Sequence, residues 1–147
     1  MRKKNSKNLK EIFLTILPVI LAALFLLNFK IIKVDGQSMS PTLNDGQIIL
    51  TSRHTDKLQK DLIVIAKYED ELIVKRIAAV ENDTVAMKNG AVYVNGVKLT
   101  NSSYEGEEKS FTLKKDEVFV LGDNQKVSLD SRYFGTLSTE SIISVKI

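Results

Sequence analysis

Residues 71–80 read ELIVKRIAAV, a run typical of a β-strand with apolar side chains on both of its faces. Because side chains alternate along a strand, Lys75 shares one face with Ile73 and Ile77, while Arg76 lies on the other. Both faces are mostly apolar, so we expect this strand to be buried. A lysine in such a strand must extend its amine to solvent, pair with an acid or lose its proton.

Two interpretations of Lys75 follow from this setting. The ordinary one is an extended side chain whose amine reaches water and stays charged. The other is a neutral amine, since burial and the adjacent charge of Arg76 both disfavour the ammonium form. A lysine that acts as a general base near neutral pH needs a pKa lowered by roughly three units, worth about 4 kcal/mol.

Short runs of β-branched and aromatic residues, separated by turn residues, fill the chain beyond residue 30. The clearest hairpin is AVYVNGVKL at 91–99, where Asn95-Gly96 suits a type I′ turn. Asn101 to Ser110 is predicted to be a polar loop, and helical periodicity is nearly absent, so a mainly β domain is expected. The predicted strands are 30–35, 47–52, 61–67, 71–80, 84–88, 91–94, 97–100, 110–113, 117–121 and 141–146.

Residues 12–29, IFLTILPVILAALFLLNF, form an apolar segment of 18 residues without a formal charge. As a helix it would span about 27 Å, which is enough for the core of a bilayer. A cleaved secretory signal usually has a shorter apolar run that ends in a small-x-small site, and a buried core helix would show a polar face. We therefore predict an uncleaved signal-anchor that makes a single pass through the cell membrane.

The formal charge of +3 is distributed unevenly. Residues 1–10 hold five of the 21 basic side chains and no acid, whereas the rest of the chain holds 16 basic and 18 acidic side chains. By the positive-inside rule, residues 1–11 are predicted to be a cytoplasmic basic tail and residues 30–147 an extracytoplasmic domain. The basic excess therefore gives no indication of a nucleic-acid partner.

The chain has no cysteine and one histidine, His54. These counts exclude thiol nucleophiles, disulfides, cysteine–zinc sites and multi-histidine metal sites, so no metal or cofactor is expected. Residues 36–40, GQSMS, nearly match the G-x-S-x-G nucleophile elbow but lack its last glycine, and His54 follows Ser38 too closely for the Ser…Asp…His order. Serine chemistry at this point would need a base other than histidine; the alternative is an ordinary strand end and turn.

A polar run bracketed by glycines, GDNQKVSLDSRYFG at 122–135, follows the apolar strand 118–121. It could simply cap a sheet. It also brings together several hydrogen-bonding side chains, among which Asp130 and Arg132 are spaced to pair as an acid–base brace. The members of this set are Asp123, Ser128, Asp130, Ser131 and Arg132.

A membrane anchor followed by G-x-S-M-x-P-T-L, then K-R, then G-D-N-…-S-x-D-S-R-x-x-G resembles the type I signal peptidases. The resemblance covers nearly the whole chain, and the short length and single anchor are similar to the Gram-positive branch. It implies a Ser–Lys serine endopeptidase on an antiparallel β-sheet fold, related to that of self-cleaving repressors. Such an enzyme removes signal peptides from exported preproteins at the outer surface of the membrane.

The resemblance also implies roles for individual residues. Ser38 corresponds to the nucleophile and Lys75 to the general base, with Ser128 as the hydroxyl that orients the lysine. Asp130 and Arg132 correspond to a structural brace around this site.

The turn around the nucleophile carries the remaining matches. Met39 and Pro41 correspond to its frame, and Gly36 stands where some relatives carry a hydroxyl that joins the oxyanion hole. The hole would then rely on backbone donors, chiefly the N–H of Ser38. Two departures from the family pattern are Glu81-Asn82-Asp83 in place of P-G-D and Gln125 in place of the arginine after G-D-N.

Other functions remain as alternatives to general export. Signal-peptidase-like proteins of pilus loci resemble this family and can act in assembly, with pilus components or the secretion translocon as further partners. A self-cleaving repressor shares the chemistry, but it should be cytosolic and carry a DNA-binding domain. An anchored β-rich binding module is a third alternative, because fold alone does not give function.

Overall fold

The computed structural model describes residues 5–99 and 104–147, and the side chains of residues 10–99 and 104–147. Within those residues the chain forms a long helix, α1 (Asn5–Asn28), eleven strands and a short helix, α2 (Ser131–Phe134). The strands are β1 (Phe29–Lys33), β2 (Ile48–Ser52), β3 (Ile63–Tyr68), β4 (Glu71–Ala79), β5 (Thr84–Lys88), β6 (Ala91–Val94), β7 (Val97–Lys98), β8 (Lys109–Thr112), β9 (Glu117–Leu121), β10 (Leu137–Ser138) and β11 (Ile142–Lys146).

The strands form two sheets, and each of their pairings is antiparallel. The larger sheet has the order β1-β2-β11-β3-β4-β9-β10, and the smaller has the order β7-β6-β5-β8. The predicted antiparallel β fold with one N-terminal apolar helix is therefore confirmed. Strand β4, the run with which the sequence analysis began, lies inside the larger sheet between β3 and β9.

Each predicted strand overlaps an observed one, with ends that differ by two residues or fewer where both are described. The strand predicted at 97–100 ends at Lys98; residue 100 and the first part of the predicted polar loop, 101–103, lie outside the described residues. In the hairpin turn Asn95 and Gly96 have φ of 50° and 79°, and a type I′ turn requires both values to be positive. The sequence analysis missed β10 and α2, which are too short to show a periodic pattern.

Helix α1 carries the predicted apolar segment. Its stretch Lys10–Asn28 has 19 residues, a mean hydropathy of 2.2 and no buried residues, so by length and composition it could cross a membrane. Phe29, predicted to close the segment, is instead the first residue of β1, and its ring centroid lies 5.0 Å from that of Phe25. The helix therefore runs into the sheet without a linker.

A hydrophobic cluster beneath the β1–β2 connection fixes the segment that carries Ser38. Met39 and Leu43 are each 1% exposed and pack with Val34 and Ile49. Two apolar side chains of the G-x-S-M-x-P-T-L motif thus bury themselves in the core, and each contributes roughly 1.5–3 kcal/mol of burial free energy. These buried side chains anchor the turn to the core, while Ser38 stays at the surface of the sheet.

Candidate active site

The turn between β1 and β2 positions Ser38. The N–H of Leu43 donates to the carbonyl of Met39 (2.9 Å), and the N–H of Ser40 donates to the carbonyl of Gln37 (3.1 Å), which closes a compact turn. Pro41 follows Ser40 through a cis peptide bond.

Gly36 opens this turn with a φ of +83°, a left-handed conformation that a side chain disfavours. Its N–H donates to the Asp45 carboxylate at 2.9 Å. Gly36 therefore allows the backbone conformation that this turn requires, and it provides no side-chain hydroxyl. The sharp bend at Gly36 ends the extended stretch of the chain two residues before Ser38.

Lys75 reaches Ser38 from the middle of β4. Its Nζ lies 2.8 Å from the Oγ of Ser38, and the residue as a whole is 4% exposed. The amine therefore does not extend into solvent, and the snorkelling interpretation of this lysine is wrong. A serine hydroxyl in hydrogen-bond contact with a buried amine is the arrangement that nucleophilic catalysis with a lysine base requires.

Burial lowers the pKa of Lys75 below its ordinary value, because the ammonium form loses hydration. The Asp130 carboxylate opposes this shift, while the Arg132 guanidinium adds to it. The expectation that Arg76 would supply the repelling charge is corrected: Arg76 lies on the opposite face of the strand and is paired with an acid there. The amine is thus shifted toward the neutral form that can accept a proton.

Arg76 pairs with Asp123 of the G-D-N motif through two parallel hydrogen bonds of 2.8 and 2.7 Å. These bonds raise the pKa of Arg76. Burial would raise the pKa of Asp123, but the hydrogen bonds from Arg76 and Thr42 lower it below its ordinary value. The next residue, Asn124, donates its N–H to the carbonyl of Ser38 at 2.9 Å. The G-D-N loop is therefore attached to β4 by an ion pair and to the nucleophile turn by a backbone bond.

Asp130 and Arg132 form the predicted brace. The Nε and Nη2 of Arg132 donate to the two carboxylate oxygens at 2.8 and 3.0 Å, and the two side chains are 0% and 1% exposed. The N–H of Gly122 also donates to Asp130, at 3.0 Å. Buried charges require this degree of hydrogen bonding, and the pair ties the start of α2 to the G-D-N loop.

Gly122 packs closely against Ser128 and the backbone of Ser38. A Cβ placed on it would contact the Oγ of Ser128 and come within 2.6 Å of the carbonyl oxygen of Ser38, so no side chain fits there. The Oγ of Ser128 is itself buried and, among the described residues, has no hydrogen-bond partner. The expected direct bond from Ser128 to Lys75 is thus not formed, although its hydroxyl lies against Gly122, which also adjoins Ser38.

The residues at the two departures from the family pattern take part in the structure of their loops. The carbonyl and side-chain oxygens of Gln125 accept from Arg132 at 2.9 and 3.3 Å. Asn82 takes the φ of +68° that a glycine would adopt easily, and asparagine is among the residues that tolerate it. Asp83 accepts from the Val80 N–H at 2.9 Å and closes that turn.

Two grooves meet at Ser38 and Lys75. One, of about 650 Å³, runs between residues 35–38 and the exposed side chains of Val127 and Leu129. The other, of about 450 Å³, lies between β1 and the first half of β4. Strand β9 pairs with β4 only from Arg76 onward, so the first half of β4 has an open edge on that side.

The two side chains in contact, Ser38 and Lys75, were predicted from the sequence, whereas the Arg76–Asp123 pair and the contacts of Gly122 and Asn124 were not. The Arg76–Asp123 pair could have been predicted, because β4 carries two adjacent basic residues and an acid follows directly after β9. A buried charge requires such a partner. Within residues 10–99 and 104–147, no group of three or more acidic, histidine or cysteine side chains is placed to hold a metal ion.

Comparisons with known proteins identify the family of this chain. The profile of the family described as "Signal peptidase, peptidase S26" matches residues 8–146. The protein named signal peptidase I of Bacillus amyloliquefaciens is 35% identical over 116 residues, covering 67% of this chain and 63% of its own length. The signal peptidase I of Bacillus licheniformis is 33% identical over 88% of this chain and 80% of its own length. Signal peptidase IB of Staphylococcus aureus strain COL is 31% identical over 75% of this chain and 71% of its own length.

A solved structure extends the likeness to the fold. The crystal structure of a signal peptidase I from Enterococcus faecalis V583 is 26% identical in sequence, with a TM-score of 0.50. The match covers 61% of this chain and 97% of that one. The predicted resemblance to signal peptidases of Gram-positive bacteria is confirmed, and the chain belongs to the signal peptidase family, peptidase S26.

Proposed function

We propose that this chain is a membrane-anchored serine endopeptidase that removes N-terminal signal peptides from exported preproteins through a Ser38–Lys75 dyad. Family membership supports a serine endopeptidase whose substrates carry signal peptides. The observation that carries the dyad is the 2.8 Å contact between Lys75 Nζ and Ser38 Oγ, together with the burial that lowers the pKa of the lysine.

The acylation step follows from this contact. Neutral Lys75 takes the proton of Ser38 as Oγ attacks the carbonyl carbon of the scissile bond. The resulting ammonium then gives its proton to the leaving amine, and the acyl group stays on Ser38. A water molecule then gives a proton to the same lysine as its oxygen attacks the ester carbonyl. The ammonium returns that proton to Oγ as the acyl–oxygen bond breaks, which releases the carboxylic acid and restores Ser38 and neutral Lys75.

Backbone N–H groups are proposed to stabilise the oxyanion, chiefly that of Ser38, because residue 36 is a glycine without a hydroxyl. Ser128 is proposed to orient Lys75 during catalysis through its hydroxyl, which is buried and makes no hydrogen bond among the described residues. Asp130 and Arg132 keep the surrounding loop in place. Met39 and Pro41 frame the turn that presents the nucleophile.

The substrate is proposed to bind as an extended strand beside residues 32–37, in the groove that separates β1 from the open edge of β4. Small pockets there would select the small residues at positions −1 and −3 of signal peptides. The apolar helix supports a membrane anchor, with residues 1–11 proposed to be cytoplasmic and the β domain outside. Anchoring confines enzyme and membrane-bound substrate to one surface and raises their effective concentration.

The alternative role in a pilus locus gains no support from these relatives, and contacts with the translocon or pilus components remain proposals without a structural counterpart. A direct experiment is to reconstitute the full chain in liposomes with a preprotein and to sequence the N-terminus of the product. We expect one cut at the end of the signal peptide, and none with Ser38→Ala. Cleavage elsewhere in the preprotein, or an intact preprotein with a folded parent chain, would refute the proposal.

A further inference from the structure

A third cleft, of about 620 Å³, is lined in part by residues 76–78 of β4, and Lys75 is not among its lining residues. We call it the rear cleft. It is open to solvent at β7, where Val97 is 68% exposed, and its size is within the range of small-molecule sites. Its apolar lining residues are Pro41, Ile77, Ala78, Val94, Val97, Leu99 and Leu121.

The two basic side chains that line the rear cleft are already paired with acids. Arg76 pairs with Asp123 at 2.7 Å, and Lys60 pairs with Asp83, just outside the cleft, at 3.4 Å. Asp61 accepts a hydrogen bond from Arg76 through its carbonyl, and its carboxylate adds to the raised pKa of that arginine. A ligand with a net charge would have to compete with one of these pairs. The cleft is therefore complementary to an uncharged molecule with a mainly apolar surface.

The polar end of the rear cleft is formed by residues that contact the turn carrying Ser38. Asp123 and Thr42 line the cleft and share a hydrogen bond, and Thr42 belongs to the nucleophile turn. Gly122, also in the wall, packs against Ser38, and Asn124 donates to the Ser38 carbonyl. A molecule that displaces this end of the wall would move Ser38 relative to Lys75. Small displacements of this kind are costly, since catalysis depends on the close placement of the reacting groups.

We propose that the rear cleft is a ligand site for an uncharged, mainly apolar small molecule, and that its occupancy slows peptide cleavage by displacing the Asp123–Asn124 loop. The binding part stands on the cleft alone, whereas the effect on cleavage rests on the proposed function. Substrate at the dyad does not compete directly for this site, because neither Ser38 nor Lys75 lines it.

The first test measures binding without reference to activity. Because the chain has no cysteine, Val97→Cys introduces a single thiol into the cleft, and Lys115→Cys places a matched thiol in the exposed β8–β9 turn. The rate at which a small charged methanethiosulfonate labels each thiol is measured in the full chain, with and without indole as the uncharged probe. Millimolar indole is expected to protect the thiol of Val97→Cys and to leave that of Lys115→Cys unprotected. Equal labelling rates of Val97→Cys with and without indole would overturn the proposed site.

The second test fills the cleft covalently. Val97→Cys is treated with N-phenylmaleimide, and in parallel with a reagent that adds only a thiomethyl group. The phenyl adduct is expected to lower kcat for a signal-peptide substrate by about tenfold. The thiomethyl adduct of Val97→Cys and the phenyl adduct of Lys115→Cys should each have a kcat close to that of the parent chain. An unchanged kcat in the phenyl adduct would overturn the link to catalysis. If the unlabelled variant and the parent chain both fail to cleave, the proposed function fails instead, while the protection assay still decides binding.

Discussion

The amine of Lys75 lies 2.8 Å from the hydroxyl of Ser38, although the two residues are 37 positions apart in the chain. The contact forms because β4 lies inside the larger sheet and the nucleophile turn is anchored in the core beside it. Two separate elements of the fold thus hold the pair, and neither side chain needs a flexible loop to reach the other.

The first prediction concerns the pair itself. Ser38→Ala and Lys75→Met should each lower preprotein cleavage by about a thousandfold or more, because each removes one half of the nucleophile–base unit. Ser40→Ala, in the same turn, and Lys67→Met, on the neighbouring strand β3, serve as matched controls and should stay near the parent rate. Circular dichroism should show a folded domain in all four variants. A Lys67→Met loss as large as that of Lys75→Met would contradict the assignment.

The second prediction concerns the pH dependence of cleavage. The proposed base is the neutral form of Lys75, and burial lowers the pKa of that amine, so kcat/KM should fall as the pH drops through the lowered value. Below it the decline should approach about tenfold per pH unit, as expected for a single proton. A profile measured on a peptide substrate without ionisable groups checks this. A constant kcat/KM from mildly acidic to alkaline pH would exclude a titrating lysine base.

The third prediction links the same group to stability. Because the pKa of Lys75 is lower in the folded chain than the ordinary 10.5, the unfolded chain binds more protons between the two values. The contribution of Lys75 to the free energy of unfolding therefore rises with pH in that window. Relative to the parent chain, Lys75→Met should gain stability as the pH falls from 10.5 toward the lowered pKa, and the gain should then level off. Urea unfolding at several pH values measures the difference; a gain that grows with rising pH would have the wrong sign.

The fourth prediction concerns the buried brace. Asp130→Ala leaves the Arg132 guanidinium buried without its carboxylate and removes the acceptor of the Gly122 N–H, so it should cost about 3 kcal/mol or more of unfolding free energy. The matched control is Asp70→Ala, which removes the exposed pair with Lys67 at 4.0 Å and should produce no measurable change. Equal effects of the two substitutions in urea unfolding would argue against the brace.

The fifth prediction concerns the close packing at Gly122. Gly122→Ala should lower kcat, because the new Cβ would force Ser128 and the carbonyl of Ser38 apart. Gly135→Ala is the comparison: its φ of +85° makes the substitution strained, but no atom lies within 4 Å of the new Cβ. It should cost about 1–2 kcal/mol of stability without a change in kcat. A Gly122→Ala variant with lower stability but an unchanged kcat would contradict the proposed link between this packing and catalysis.

Much of the fold was predictable because local patterns agree with the tertiary structure. The strands either alternate apolar and polar residues or are apolar throughout. Asn95-Gly96 has the residue types that a type I′ turn requires. Helix α2 was missed because four residues cannot show a 3.6-residue period, although Asp130 at its N-cap was a local signal.

The candidate site was harder to predict from the residues alone. Alternation along β4 separated Lys75 from Arg76 correctly, but it could not show which acid meets each base, because Asp123 and Asp130 are distant in sequence. Arg76 is paired with Asp123 on the opposite face of β4. The positive charge that helps to lower the pKa of Lys75 is instead that of Arg132. Such contacts depend on how β4 and β9 are brought together, which no single stretch of sequence specifies.

The central claim is that Lys75 is an amine with a lowered pKa in contact with Ser38, and direct titration of that amine tests it most directly. Full-length chain with ¹³C-labelled lysine side chains can be followed by NMR across pH, with Lys75→Met identifying the signal. The account predicts a titration midpoint for Lys75 below the ordinary 10.5. A midpoint at or above 10.5 for this amine would contradict it.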